Sequence, residues 1–178
     1  MTAAIRILGI DPGLRHTGWG IIEQSGMRLT HVAHGVISAA TDISMAERLA
    51  EIFECVGELA RHHGPHTAGV EETIVNANPR SALKLGQARG AAMAALAMAG
   101  IPVAEFAPSQ IKLAVVGTGT ADKEQVKFMV RRLLPRAGDM KLDAADALAC
   151  AICHAHGSSG LAAMAGVGTR KRGGRLRL

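Results

Sequence analysis

The chain has 178 residues, 48% of them hydrophobic, with a mean hydropathy of +0.19, which is enough for one substantial core and too little for a second catalytic domain. No apolar run reaches the 18 residues of a membrane span, the N-terminal stretch is interrupted by Arg6 and lacks a signal-peptide pattern, and Cys55, Cys150 and Cys153 are too few for a disulfide framework, so a cytoplasmic chain with reduced thiols is expected. Twenty basic residues face 15 acidic ones, and the whole net charge of +5 sits in residues 170–178, while residues 80–136 hold nine bases and three acids, a balance suited to a polyanionic partner.

In chain order, residues 5–11, 18–24 and 27–38 read as three strands joined by turns at PGLRHTG and Ser25-Gly26, an antiparallel start. Ser44 caps a helix through His63, with Met45, Leu49, Ile52, Val56 and Leu59 at helical spacing and Glu47, Glu51, Glu54 and Glu58 on a solvated face. Residues 67–72 form a short apolar strand ending in Glu71 and Glu72. Asn78 as N-cap and Pro79 at the first helical position start a helix to about residue 99. Its half GAAMAALAMAG is apolar nearly all round, so cover is expected on both sides, from the sheet and from a partner subunit. A strand over 101–106 follows, then helices over 109–116 and 120–134, the second capped by Thr120 beyond Gly117 and Gly119, and a last apolar helix over 142–156. This order predicts a three-layer α/β domain with a mixed sheet over residues 1–156 and a disordered basic tail over 157–178.

Carboxylates do not sit at the ends of buried strands or in apolar helices without a reason. Asp11 ends the first strand before Pro12-Gly13, Glu71 ends the strand from residue 67, and Asp143 and Asp146 share one face of the last helix at i,i+3. If those strands are neighbours and the helix crosses them, four carboxylates converge. Oxygen ligands alone suit Mg²⁺ or Mn²⁺ better than Zn²⁺, and two such ions activate water for phosphodiester hydrolysis. The alternative, taken acid by acid, is a cap, a turn residue or a surface group.

The segments LGIDPGLRHTGWGII (8–22), SALKLGQARG (81–90), VVGTGTADKEQV (115–126) and LDAADALACAICH (142–154) resemble, in order and spacing, the RuvC family of Holliday junction resolvases. The resemblance implies an RNase H-like fold with a mixed five-stranded sheet. It also implies a homodimer and paired Mg²⁺-dependent nicking of four-way DNA junctions, leaving 5′-phosphate ends, in recombination and repair. It carries the catalytic, metal-holding acids onto Asp11, Glu71, Asp143 and Asp146, with two Mg²⁺ per site and Mn²⁺ as a substitute. Lys112 and Lys123 fall where the family keeps lysines near the scissile phosphate; alone they read as ordinary exposed helix lysines. Ile74 stands where the family often has a phenylalanine that contacts junction bases, leaving an apolar wedge without a ring. RuvA and RuvB are the implied partners.

Arg80, with Asn76 and Asn78, flanks a helix N-terminus suited to a DNA phosphate, the plainer reading being capping by Asn78. Only Trp19, Phe53, Phe106 and Phe128 are aromatic, which argues against a stacking single-strand binder. Cys150-Ala-Ile-Cys153-His154 spells a haem-attachment motif, but its cysteines continue the helix stripe and read as packed thiols. Glu105 reads as a solvated strand end. Three rivals stand beside the resolvase: an actin-like phosphotransferase, for which the chain is too short, a RuvX-like nuclease, and a non-catalytic junction-binding protein that a nicking assay separates.

Overall fold

The structure, a computed structural model, describes residues 4–73 and 79–161. Strand β1 (Ile5–Asp11) pairs antiparallel with β2 (His16–Ser25), which pairs antiparallel with β3 (Arg28–Ser38). Helix α1 (Met45–His63) leads to β4 (Thr67–Glu71), parallel to β1, and α2 (Pro79–Met98) leads to β5 (Val103–Phe106), parallel to β4. Helices α3 (Pro108–Val116) and α4 (Lys123–Leu133), a 3-10 turn (Pro135–Ala137) and α5 (Leu142–Leu161) complete the described chain. The sheet order is β3-β2-β1-β4-β5, so β1 is central and the sheet is mixed with five strands, as expected.

Strand alternation sorts the apolar residues into two cores. Leu8, Ile10, Ile21, Ala68 and Val70 pack against Ile52, Val56, Ala92 and Leu96 of α1 and α2. Ile7 and Ile22 pack on the other face against α3, α4 and above all α5. Helix α1 begins in a reciprocal cap: Glu47 N–H donates to Ser44 Oγ at 3.2 Å and Ser44 N–H donates to Glu47 Oε2 at 2.8 Å. It stops at Gly64, whose φ of +55° is glycine's territory.

Helix α5 lies unusually close to β1 and β2 because those strands carry glycine where it crosses. A methyl group at Gly9 would run into the carbonyl oxygen of Ala147, and one at Gly18 into that of Asp143. Alanines 144, 145, 147, 149 and 151 on the helix keep the approach short and are all buried.

Helix α2 buries the stripe Ala88, Ala92, Ala95 and Leu96 toward α1 and the sheet and, within one chain, leaves Leu83 and Met98 71% and 81% exposed. Three expectations are corrected. Helix α4 is capped by Asp122 rather than Thr120: buried Ala121 intervenes, and Gln125 and Asp122 bond each other's backbone N–H. Glu51 and Glu47 do not simply face solvent, since Glu51 accepts from Ala40 N–H and Glu47 completes the cap. Helix α5 continues to Leu161, five residues past the expected end; the rest of the expected tail lies outside the described residues, as do Ile74, Asn76 and Asn78. Among the described residues no helix is long and apolar enough to cross a membrane.

Candidate active site

Parallel pairing of Ile10 with Val70 brings the next residues, Asp11 and Glu71, side by side where both strands end. Both follow the alternation of Gly9 and Gly69, which face α5, so both carboxylates emerge under that helix. Helix α5 starts at the same end of the sheet, placing Asp143 and Asp146 in its first turns. The turn after Asp11 is tied down by Thr17, which is buried: its hydroxyl donates to Gly13 O at 2.7 Å and accepts from Gly13 N–H at 3.3 Å.

Asp11, Glu71 and Asp146 line one pocket of about 200 Å³ with Lys112, Lys123, Pro108, Ile111 and Val126. Lys112 comes from α3 and Lys123 from the first turn of α4, so the two lysines identified in the sequence face the acids from one side. Lys123 Nζ donates to Asp146 Oδ2 at 2.8 Å. Burial, then repulsion from Glu71 and Asp146, pushes Asp11 up to about 8, with Lys123 opposing. Burial, then Asp146, pushes Glu71 up to about 7 against Lys123 and Lys112. Asp146 is raised by burial and held back by the Lys123 hydrogen bond. Cys150 is fully buried on α5; burial, then Glu71, raises its thiol well above the ordinary range, as expected of a packed thiol rather than a ligand.

The donor set is chemically that of a hard divalent cation, oxygen only, in a region where buried anions repel one another. As the side chains stand, no three His, Cys, Asp or Glu groups among the described residues converge on one ion position. Asp143 acts on the cluster through its charge, raising Asp11 and Asp146, without lining the pocket. The Lys123 ammonium is the cation nearest Asp146. The residues fit a divalent ion by donor chemistry and by the charge they leave uncompensated.

The remaining residues separate. Arg80 is exposed in the first turn of α2, next to the undescribed 74–78. Glu105 is not a bare strand end: it pairs with Arg89 of α2, on the sheet face opposite Phe106, which packs toward α5. His154 bonds Thr67 Oγ1 at 2.8 Å rather than joining Cys150 and Cys153 as a ligand set. The sequence reading missed the apolar wall of Ile111 and Val126 and the Thr17 clamp. The helical spacing of the first two and the Thr17-Gly18 turn were the available signals.

A sequence model described as "Crossover junction endodeoxyribonuclease RuvC" matches residues 7–154. A protein of that name from Hyphomonas neptunium is 84% identical over 156 residues, covering 88% of this chain and 93% of the relative. Another from Maricaulis maris is 56% identical over the same shares. Among solved structures, T. thermophilus RuvC in complex with Holliday junction substrate superimposes with a TM-score of 0.81 at 33% identity, covering 88% of this chain and 96% of that one.

Proposed function

The chain belongs to the RuvC family of crossover junction endodeoxyribonucleases, and from that membership we propose that it resolves four-way DNA junctions by paired Mg²⁺-dependent nicks with 5′-phosphate ends. The observation that supports this reading is the single pocket in which Asp11, Glu71 and Asp146 meet Lys112 and Lys123. Asp11, Glu71, Asp143 and Asp146 would hold two Mg²⁺ per site, or Mn²⁺ in their place, and the ions supply Lewis acidity to the attacking water and the departing 3′-oxygen. The chain's own part is positional and electrostatic. The strand ends fix Asp11 and Glu71, α5 fixes the other two acids, and Lys112 and Lys123 offset charge that develops on the scissile phosphate.

Two opposed strands need two such sites, and we assign the two-fold contact to α2. Its outer face leaves Leu83 and Met98 to solvent, and the end of the helix borders an apolar hollow lined by Met93, Ala97 and Ile101; a second copy would cover it. Ile74 and Arg80, beside the site on the chain, are assigned to the DNA, Ile74 as an apolar wedge at the junction centre. RuvA and RuvB are the assigned protein partners, in the cytoplasm. The five basic residues within 170–177 add attraction for flanking duplex.

The deciding experiment incubates the protein with a labelled four-way junction and Mg²⁺ beside a duplex of equal length. Paired nicks in the junction, absent from the duplex and absent without divalent cation, are expected. Binding without nicking would leave a junction-binding protein; equal cutting of the duplex would remove structure selectivity.

A further inference from the structure

At the far end of the sheet a second group of residues is assembled by a β-bulge. Ile21 pairs with Ala33 but Ile22 pairs with His31, so Val32 is an extra residue in β3. In an unbroken strand residues 31 and 34 would face opposite sides. The bulge returns both to the side of Leu29 and Val36, and His31 Nε2 lies 2.8 Å from His34 Nδ1. His31 lines a pocket of about 230 Å³ between the start of β3 and the 3-10 turn. Arg28, Thr30 and Arg136 form its polar wall, and Leu29 and Leu134 part of its apolar lining.

Exposed Arg28 and Arg136 enter no ion pair among the described residues, so neither guanidinium is held by a carboxylate. Two guanidiniums and an imidazole around one concavity are donors for a tetrahedral oxyanion, and the guanidiniums repel a metal cation that the histidine pair alone would suit. The pocket is separate from the carboxylates. His31 is in the row of Ile22 and Ile7, so at roughly 3.3 Å per residue it lies about 13 Å down the strands from Asp11, two strands across. Gln24 Nε2 donates to Ala155 O at 3.2 Å, so the second half of α5 crosses the sheet at this same end.

We propose that Arg28, His31 and Arg136 form a second phosphate-binding site, remote from the nuclease centre, that takes a backbone phosphate of duplex DNA or free inorganic phosphate. It does not rest on the nuclease reading, since the pocket shares no residue with the catalytic carboxylates. Neutralising one or two phosphates steepens the dependence of log K on log salt by about 0.9 each.

The test uses the full chain and an Arg28→Gln/Arg136→Gln double variant. The His31 and His34 ring signals are followed by NMR during titration with inorganic phosphate, and binding to a labelled duplex is measured across a salt series. An Arg61→Gln variant, neutralising an exposed arginine on α1, is the charge control. Normal junction cutting by the double variant verifies its fold. Phosphate should shift the histidine signals in the native chain and not in the double variant, and the duplex salt slope should fall by about 1 to 2 in the double variant alone. A histidine response with an unchanged slope would assign the site to free phosphate. Histidine signals indifferent to phosphate, together with a slope unchanged or lowered as much by Arg61→Gln, would overturn the proposal.

Discussion

Lys123 Nζ donates to Asp146 Oδ2 at 2.8 Å, joining the first turn of α4 to the second acid of α5 across the mouth of the carboxylate pocket. The lysine side chain is 62% exposed and the aspartate 14%, so the pair adds little to stability. Its effect is local: the hydrogen bond raises the affinity of Lys123 for its proton and restrains the rise at Asp146. Lys123→Gln should therefore change stability by no more than about 1 kcal/mol while lowering single-turnover junction cutting by on the order of a hundredfold. A normal cutting rate in this variant would show that the ammonium is a surface contact only.

Asp146→Asn removes a carboxylate from the pocket without touching Arg80 or the basic tail. Cutting should be abolished and junction binding largely kept, as read by a gel-shift assay beside the nicking assay. Equal loss of both would mean that Asp146 supports the DNA surface and not the chemistry.

Asp11 is held up to about 8 by burial and by Glu71 and Asp146, so its charge opposes folding in the absence of a divalent ion. Asp11→Asn should abolish cutting yet raise stability in EDTA by roughly 1–3 kcal/mol, less than the full displacement would give because Lys123 and water already relax part of the repulsion. The gain should vanish on adding Mg²⁺, which offsets the same repulsion in the native chain. Urea unfolding of both proteins with and without Mg²⁺ measures this directly. A destabilised variant in EDTA would show that Asp11 is held by contacts stronger than the repulsion.

Much of this arrangement is legible in the residues themselves. An apolar run ending in Asp11, another ending in Glu71 and a helix opening on Asp143 and Asp146 have few physical explanations apart from a shared cation site. Ser44 with Glu47 three residues on marks the start of α1 without ambiguity. The start of α4 is not legible in that way, because Thr120 and Asp122 are both good caps and only the burial of Ala121 decides between them. The Arg89–Glu105 pair joins elements through tertiary packing that no spacing encodes. The bulge at Val32 is equally silent, since a strand pattern of period two hides a single inserted residue.

Three histidines make stability sensitive to acid. Burial lowers His154, burial and then His34 lower His31, and burial followed by His62 and Arg6 lowers His63, each from an ordinary value of 6.5. The folded chain therefore prefers them neutral. Their contribution is fully present above about pH 6.5 and is lost as pH falls through the lowered folded-state values. Asp11 and Glu71, raised to about 8 and about 7, act in the opposite sense over the same range, since protonation relieves them in the fold, so the histidine contribution is read as a difference between two proteins. Below about pH 6.5 the urea midpoint of His154→Gln, which keeps a polar group near Thr67, should gain on that of the native chain. A constant difference between the two midpoints across pH would show that His154 does not contribute.

The approach of α5 to the sheet gives the sharpest structural test. Gly18 pairs with Asp11 across β1 and β2, and a methyl group there would meet the carbonyl oxygen of Asp143. That contact is backbone, so no side chain can rotate to relieve it; the first turn of α5 must lift away. Gly18→Ala should therefore displace Asp143 and Asp146 from Asp11, destabilising the fold by about 1–3 kcal/mol and lowering cutting further than stability alone explains. At Gly26, where β2 turns into β3, a methyl group meets nothing within 4 Å and only the positive φ of +59° is disturbed. Gly26→Ala should thus cost about 1 kcal/mol and leave cutting by the folded protein intact. Measuring single-turnover cutting for both variants, at a temperature where each is fully folded, separates the two effects. Equal cutting rates would show that α5 adjusts without moving its acids.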